Sequence, residues 1–228
     1  MRNILIIGGS RGIGNSILKH QLNLGNYCNN ISRSSLEINN ENYKEYQVDI
    51  LKDELPEIDS IDSLVYCPGS ITLKPFLQLK EEDFKKDFEI NVLGAVKSIQ
   101  KYLNTLKKGS NPSIVLFSTV AVVKGMAFHS SISSAKAAIE GITKSLAAEF
   151  APTIRVNCIA PTITKTDLAK NILRNEKIEE NISNSHPLKK ICEPDDIAAT
   201  ANFLISKESN KITGQILRVD SGMSTLKI

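Results

Sequence analysis

Three glycines near the start of the chain are the first residues whose spacing could do chemistry. Gly8, Gly12 and Gly14 stand in Gly8-Gly9-Ser10-Arg11-Gly12-Ile13-Gly14, directly after the apolar run Ile4-Leu5-Ile6-Ile7. Glycine lets a backbone turn sharply and approach a phosphate closely, and the helix that follows offers free N–H groups to the anion. Between a strand and a helix, this G-x-x-x-G-x-G pattern predicts a dinucleotide held by its pyrophosphate, with Gly8, Ser10, Arg11, Gly12, Ile13 and Gly14 lining it. No Gly-Lys-Ser/Thr closes the loop, so it is not a Walker A motif. About 20 residues on, a carboxylate usually bonds both ribose hydroxyls. This chain reads Ile31-Ser32-Arg33-Ser34 there. Arg33, with Arg11 on the other side, can grip a 2′-phosphate through forked hydrogen bonds. NADPH is therefore expected over NADH, and Asp49 is placed to meet the adenine amino group.

These residues need a scaffold, and the chain alternates strand and helix patterns along its length. Strand candidates are 3–7, 27–31, 44–48, 63–67, 113–118, 154–159 and 215–219, and helices are expected at 13–24, 80–107, 130–149 and 195–205. Short apolar strands between amphipathic helices predict a mostly parallel sheet covered on both faces. The expected fold class is thus α/β, a doubly wound Rossmann-type domain of three layers spanning 1–228. The stretch from Ser34 to Asp62 has no room for full covering helices, so that edge should be thinly clad.

Composition narrows the function classes. Hydrophobic residues make up 41% and charged residues 23% of 228 positions, and the formal charge is only +3, which suits one globular core. Lys97, Lys101, Lys107 and Lys108 read as a solvated helix face rather than a nucleic-acid patch. Cys28, Cys67, Cys158 and Cys192 form no CxxC pair and read as free thiols in a reducing, cytoplasmic setting. No signal peptide, no membrane span and no three-ligand metal cluster is evident. His20 lies far off in the first helix, and His186 reads as an exposed loop residue.

With these motifs in order, the chain resembles the short-chain dehydrogenase/reductase family over nearly its whole length. The glycine motif is similar to that family's, although its usual leading Thr is Ile7 here. Asn91 in Asn91-Val92-Leu93-Gly94 matches the family's helix asparagine, which supports the proton relay. Lys136 in Ser134-Ala135-Lys136-Ala137-Ala138 matches the lysine that grips the nicotinamide ribose. Thr119 in Phe117-Ser118-Thr119 falls at the substrate-orienting serine. Arg155 to Pro161 resembles the strand and turn ahead of the nicotinamide, and Thr166 matches the residue that contacts the carboxamide. Ile212 to Gln215 and Val219 to Gly222 match the C-terminal strand, which in relatives builds a tetramer interface. The resemblance implies an NAD(P)-dependent oxidoreductase acting on a small-molecule carbonyl, assembled as a homotetramer or dimer.

Two departures qualify what the resemblance implies. The usual Asn-Asn-Ala-Gly is Tyr66-Cys67-Pro68-Gly69, and Pro68 removes a backbone donor. The signature Tyr-x-x-x-Lys is Ile132-Ser133-Ser134-Ala135-Lys136, so the proton-donating tyrosine is an isoleucine. His129, two helical turns before Lys136, is the expected substitute. That spacing resembles the Tyr-x6-Lys arrangement of the enoyl-thioester reductase branch. Ser130 and Ser131 are expected to cap the helix N-terminus. An enoyl-thioester reductase using His129, or an inactive cofactor-binding homologue, are the alternatives.

Overall fold

The strand patterns become β1 (Asn3–Ile7), β2 (Tyr27–Ser32), β3 (Tyr43–Gln47), β4 (Ser63–Tyr66), β5 (Ser113–Phe117), β6 (Arg155–Pro161) and β7 (Ile216–Val219) in a computed structural model that describes residues 1–227. They form one sheet in the order β3-β2-β1-β4-β5-β6-β7, and every neighbouring pair is parallel. The side-chain period of two divides each central strand between two cores. Leu5 and Ile7 pack with Ile99, Leu106 and Ile139 on one face, while Ile4 and Ile6 pack with Ile17, Ile197 and Leu204 on the other. Both faces are buried, which is why these strands are continuously apolar.

Among the described residues, seven α-helices serve this sheet: α1 (Gly12–Asn23), α2 (Glu81–Phe88), α3 (Gly94–Leu106), α4 (Ala121–Lys124), α5 (Ser130–Phe150), α6 (Glu176–Asn184) and α7 (Pro194–Ile205). α1 and α7 cover one face, and α3 and α5 the other. The single helix expected over 80–107 is interrupted. A π turn, Glu89–Leu93, separates α2 from α3 and carries Asn91. The cause lies on β4. Tyr66 is buried, its hydroxyl donates to the Ile90 carbonyl at 2.6 Å, and Gly94 clears the space, since a Cβ there would sit 2.2 Å from the phenol oxygen. A side chain entering the helical ladder in this way is a recognised origin of such turns.

One further expectation is corrected. Lys97 and Lys101 are not simply solvated: Lys97 Nζ donates to the carbonyls of Ile50 and Asp53, and Lys101 pairs with Glu57. They clamp the segment that leads from β3 to β4. The edge formed by β3 is thinly clad as expected, for no helix lies between β2 and β3 and every β3 residue keeps some exposure. Cys28, Cys158 and Cys192 are buried and Cys67 partly so, all as free thiols. No described helix is long and apolar enough to cross a membrane.

Candidate active site

The glycine loop occupies the C-terminal end of β1, as the strand–turn–helix pattern requires. Gly8 has φ +83° and Gly12 φ +52°, conformations that side chains rarely adopt. The loop is held from two sides. Gly9 N donates to Asn30 Oδ1 at 3.0 Å, and Asn30 is wholly buried on β2, with its amide directed to Tyr43 Oη at 3.2 Å. Pro68, after β4, stands 3.1 Å from where a Cβ on Gly8 would lie. The substituted strand end thus packs the loop instead of offering it a donor. No side chain caps the N-terminus of α1, and its first turn carries no acid. Its free N–H groups therefore face the loop mouth, a setting suited to an anion.

Across from the loop, Thr166 Cγ2 comes within 3.0 Å of a Cβ position on Gly12. Gly12, Asn15, Lys19, Lys165 and Thr166 line a cleft of about 710 Å³ there. Pro161 ends β6, partly exposed, on the way to Thr166. Arg11 and Arg33 both lie exposed, on the loop and just past β2, and neither guanidinium has a protein hydrogen bond or ion pair among the described residues. Asp49 follows β3 in a turn, where Oδ1 accepts from Leu51 N at 3.1 Å. The free guanidiniums of Arg11 and Arg33 and an uncapped helix end fit the phosphates of a nicotinamide dinucleotide.

Lys136 lies on the inward face of α5, and its Nζ donates to the Phe117 carbonyl at 2.9 Å. Burial pushes its ammonium down to about 8, while Cys158, Cys67 and Asp87 act in the opposite direction. Asn91 is 1% exposed; its amide donates to the Asp87 carbonyl at 2.7 Å, and its Oδ1 has no partner. A Cβ on Gly69 would stand 3.0 Å from that Oδ1 and 3.8 Å from Lys136 Nζ, so the two groups converge over this glycine. A buried acceptor without a donor calls for a water or ligand group. Thr119 lies two residues past β5, partly buried, with Oγ1 accepting from Ala121 N at 3.3 Å. Its hydroxyl proton stays free to orient an oxygen.

Ile132 is 4% exposed, one turn before Lys136. His129 is the N-cap residue of α5, and its Nδ1 lies 2.7 Å from the Ala127 carbonyl. No hydrogen bond joins it to Lys136, Thr119 or Asn91. Ser130 and Ser131 do not cap the helix, because the cap position belongs to His129 and Ser131 is turned inward. Its hydroxyl donates to Asp87 Oδ2 at 2.7 Å. His186 is wholly buried rather than exposed: Nδ1 faces the Ile182 carbonyl at 2.7 Å and Nε2 meets Thr162 Oγ1 at 2.8 Å. Asn30, Asp87 and Thr162 went unnoticed in the sequence, where nothing distinguishes a buried polar side chain in a strand or amphipathic helix from a solvated one. Among the described residues, no group of three or more His, Cys, Asp or Glu could hold a metal ion.

A family model described as enoyl-(acyl carrier protein) reductase matches residues 35–224. The chain is 29% identical to the 3-oxoacyl-[acyl-carrier-protein] reductase FabG of Chlamydia trachomatis, over 98% of this chain and 97% of that one. It is 33% identical to the L-2,3-butanediol dehydrogenase of Corynebacterium glutamicum, over 75% and 71% of the two chains. Among solved structures, ElxO with NADP bound superposes with a TM-score of 0.89 at 30% identity, covering 99% of this chain and 100% of that one.

Proposed function

The chain belongs to the short-chain dehydrogenase/reductase family, and on that footing we propose that it is an NADP(H)-dependent oxidoreductase reducing a small-molecule carbonyl. The observation that carries the reading is the convergence of Lys136 Nζ and the unpartnered Asn91 Oδ1 over Gly69, beside an uncapped glycine-loop helix. When bound, the reduced nicotinamide supplies a hydride. The chain's own residues bind and orient. Amides of Gly12, Ile13 and Gly14, with Gly8 and Ser10, take the pyrophosphate; Arg11 and Arg33 take the 2′-phosphate, and Asp49 the adenine amino group. Lys136 holds the nicotinamide ribose, Pro161 and Thr166 line the carboxamide, and Thr119 orients the substrate oxygen. The NADP complex of ElxO supports the choice of dinucleotide.

A second reading keeps the cofactor and drops the turnover, and buried Ile132 favours it because isoleucine cannot move a proton. A third, enoyl-thioester reduction with His129 as proton donor, draws on the His129–Lys136 spacing and on the description of the matching family model. One experiment separates the three. NADPH and NADH binding are titrated by fluorescence, and oxidation of bound NADPH is then followed against ketones and enoyl thioesters. Tight NADPH binding with ketone turnover supports the first reading, binding without turnover the second, and thioester turnover the third. Absence of binding removes all of them.

A further inference from the structure

Side chains, not a helix, hold the segment that leads from β2 to β3 and carries Arg33. The parallel register sets Asn30 beside Glu45 and Ser32 beside Gln47, so these four side chains share one face with Tyr43. Leu36 and Ile38 fold over that face and pack, like Tyr43, against the core around Ile17. Each residue from Arg33 to Leu36 is then tied down. Gln47 Nε2 donates to the Arg33 carbonyl at 3.1 Å, and Ser32 Oγ to the Ser34 carbonyl at 2.7 Å. Ser35 Oγ donates to Glu45 Oε2 at 2.6 Å, and Leu36 N reaches both oxygens of that carboxylate, at 2.9 and 3.2 Å.

These ties have a direction. They occupy the carbonyls of Arg33 and Ser34. The polar groups of the two residues that keep no partner among the described residues can all donate: the guanidinium, the Ser34 hydroxyl and both amides. Such a set suits an anion. A second chain of bonds ends on the same carboxylate. Gly9 N donates to Asn30 Oδ1 at 3.0 Å, Asn30 Nδ2 to Tyr43 Oη at 3.2 Å, and Tyr43 Oη to Glu45 Oε1 at 2.9 Å. Every bond points toward Glu45, where the glycine loop and the Arg33 segment meet. A carboxylate accepts from a phenol, a hydroxyl and an amide at once; a carboxamide in its place would turn its NH₂ toward one of these donors.

Resting on the NADP(H) reading above, we propose that Glu45 is the positioning residue for dinucleotide selectivity. It fixes the segment from Arg33 to Leu36, so that Arg33 and the donors of Ser34 stand ready for a 2′-phosphate. Glu45 acts through the segment it holds and not by touching the phosphate. A carboxylate is otherwise a poor neighbour for a phosphate, because like charges repel. Its place beneath the segment therefore has two opposed effects, and the holding outweighs the repulsion. Donors already in place bind without the ordering cost that a loose segment carries. The effect is confined to the 2′-phosphate. The turn at Asp49, which serves the adenine, is closed by its own bonds to Leu51 and Asp53.

The test uses the full chain and two nucleotides, 2′,5′-ADP and 5′-AMP, which differ by the 2′-phosphate alone. Calorimetry should show 2′,5′-ADP bound more tightly. Glu45→Gln should weaken its binding by roughly tenfold and leave 5′-AMP within about twofold. Arg33→Ala should do the same, and the double variant should lose less than the product of the two single losses, because both act on one contact. Should Glu45→Gln not fold, Ser35→Ala removes one partner of the carboxylate at an exposed position and should cut the same preference in smaller measure. Equal losses for the two nucleotides would make Glu45 a structural tie only and overturn the proposal. A gain for 2′,5′-ADP would show that repulsion wins, and fully multiplicative losses that Glu45 does not act through Arg33; either overturns it. If the unaltered chain binds both nucleotides alike, the NADP(H) preference itself falls and takes this proposal with it. If the unaltered chain prefers 2′,5′-ADP and both Glu45→Gln and Ser35→Ala keep that preference, the role of Glu45 alone falls.

Discussion

Arg33 and Ile132 carry the two sharpest expectations at the scale of single residues. Arg33 is exposed and uncommitted at the end of β2, where its fork can reach a 2′-phosphate. A charge-assisted hydrogen bond contributes about 1.5–3 kcal/mol, so Arg33→Ala should weaken NADPH binding by roughly tenfold or more. NADH affinity should stay level; equal losses for both dinucleotides would place Arg33 elsewhere. Ile132→Tyr restores a phenol one turn before Lys136. Overfilling a site that is 4% exposed should cost about 1–3 kcal/mol of stability. Stopped-flow oxidation of NADPH should nevertheless gain roughly 10²–10⁴-fold on a ketone. No gain would mean that the chain has changed substrate as well as proton donor.

Elements position these residues, and the π turn at Asn91 shows how tightly. Gly94→Ala drives a methyl against the Tyr66 phenol and should destabilise the protein by about 1–3 kcal/mol. Tyr66→Phe alone loses one hydrogen bond, about 0.5–1.5 kcal/mol, but in the double variant it should return part of the Gly94→Ala loss. Thermal unfolding of all four forms measures this coupling; strictly additive losses would deny it. The turn also marks where sequence reading stopped. Strands β1, β4, β5 and β6 were legible because burial on both faces leaves long apolar runs, and the glycine loop because its spacing has a backbone reason. The interruption at Asn91 was not, since Tyr66 and Gly94 meet only after β4 and α3 are packed. Asp87 escaped for a related reason: an acid on a charged helix looks solvated until Ser70, Thr72 and Ser131 arrive from two other segments. His186 was misread likewise, its burial depending on Thr162 at the end of β6.

For the whole molecule, the buried thiols set an alkaline limit. Burial raises Cys28, Cys67 and Cys158 from 9.0 to about 12 and Cys192 to about 11. Above pH 9 the unfolded chain sheds these protons while the folded one keeps them, so the folded state binds more and stability falls as pH rises. Lys136 runs the other way between about 8 and 10.5, one group against four. Urea unfolding should therefore show a lower midpoint at pH 10 than at pH 8, and a flat profile would contradict the thiol burial. Assembly is the second property at this scale. Phe84, Phe88 and Leu93 line an apolar groove of about 530 Å³ beside α5, and β7 is an edge strand with Ile216, Leu217 and Val219 only partly covered. A symmetric dimer or tetramer is expected; sedimentation at micromolar concentration showing monomer alone would refute it.

The bare edge at β3 has a kinetic consequence. No helix lies between it and β2 and each of its residues keeps some exposure, so hydrogen exchange should reach its amides through small local openings rather than through global unfolding. The adenosine half of a bound dinucleotide would rest on this frequently opening margin through Asp49, while the nicotinamide half stays under Lys136 and the closed core. Departure of the cofactor would then begin at the adenosine end, and its rate would track the exchange of Tyr43–Gln47. A proline introduced into that strand should quicken release far more than it weakens the chemistry of the site.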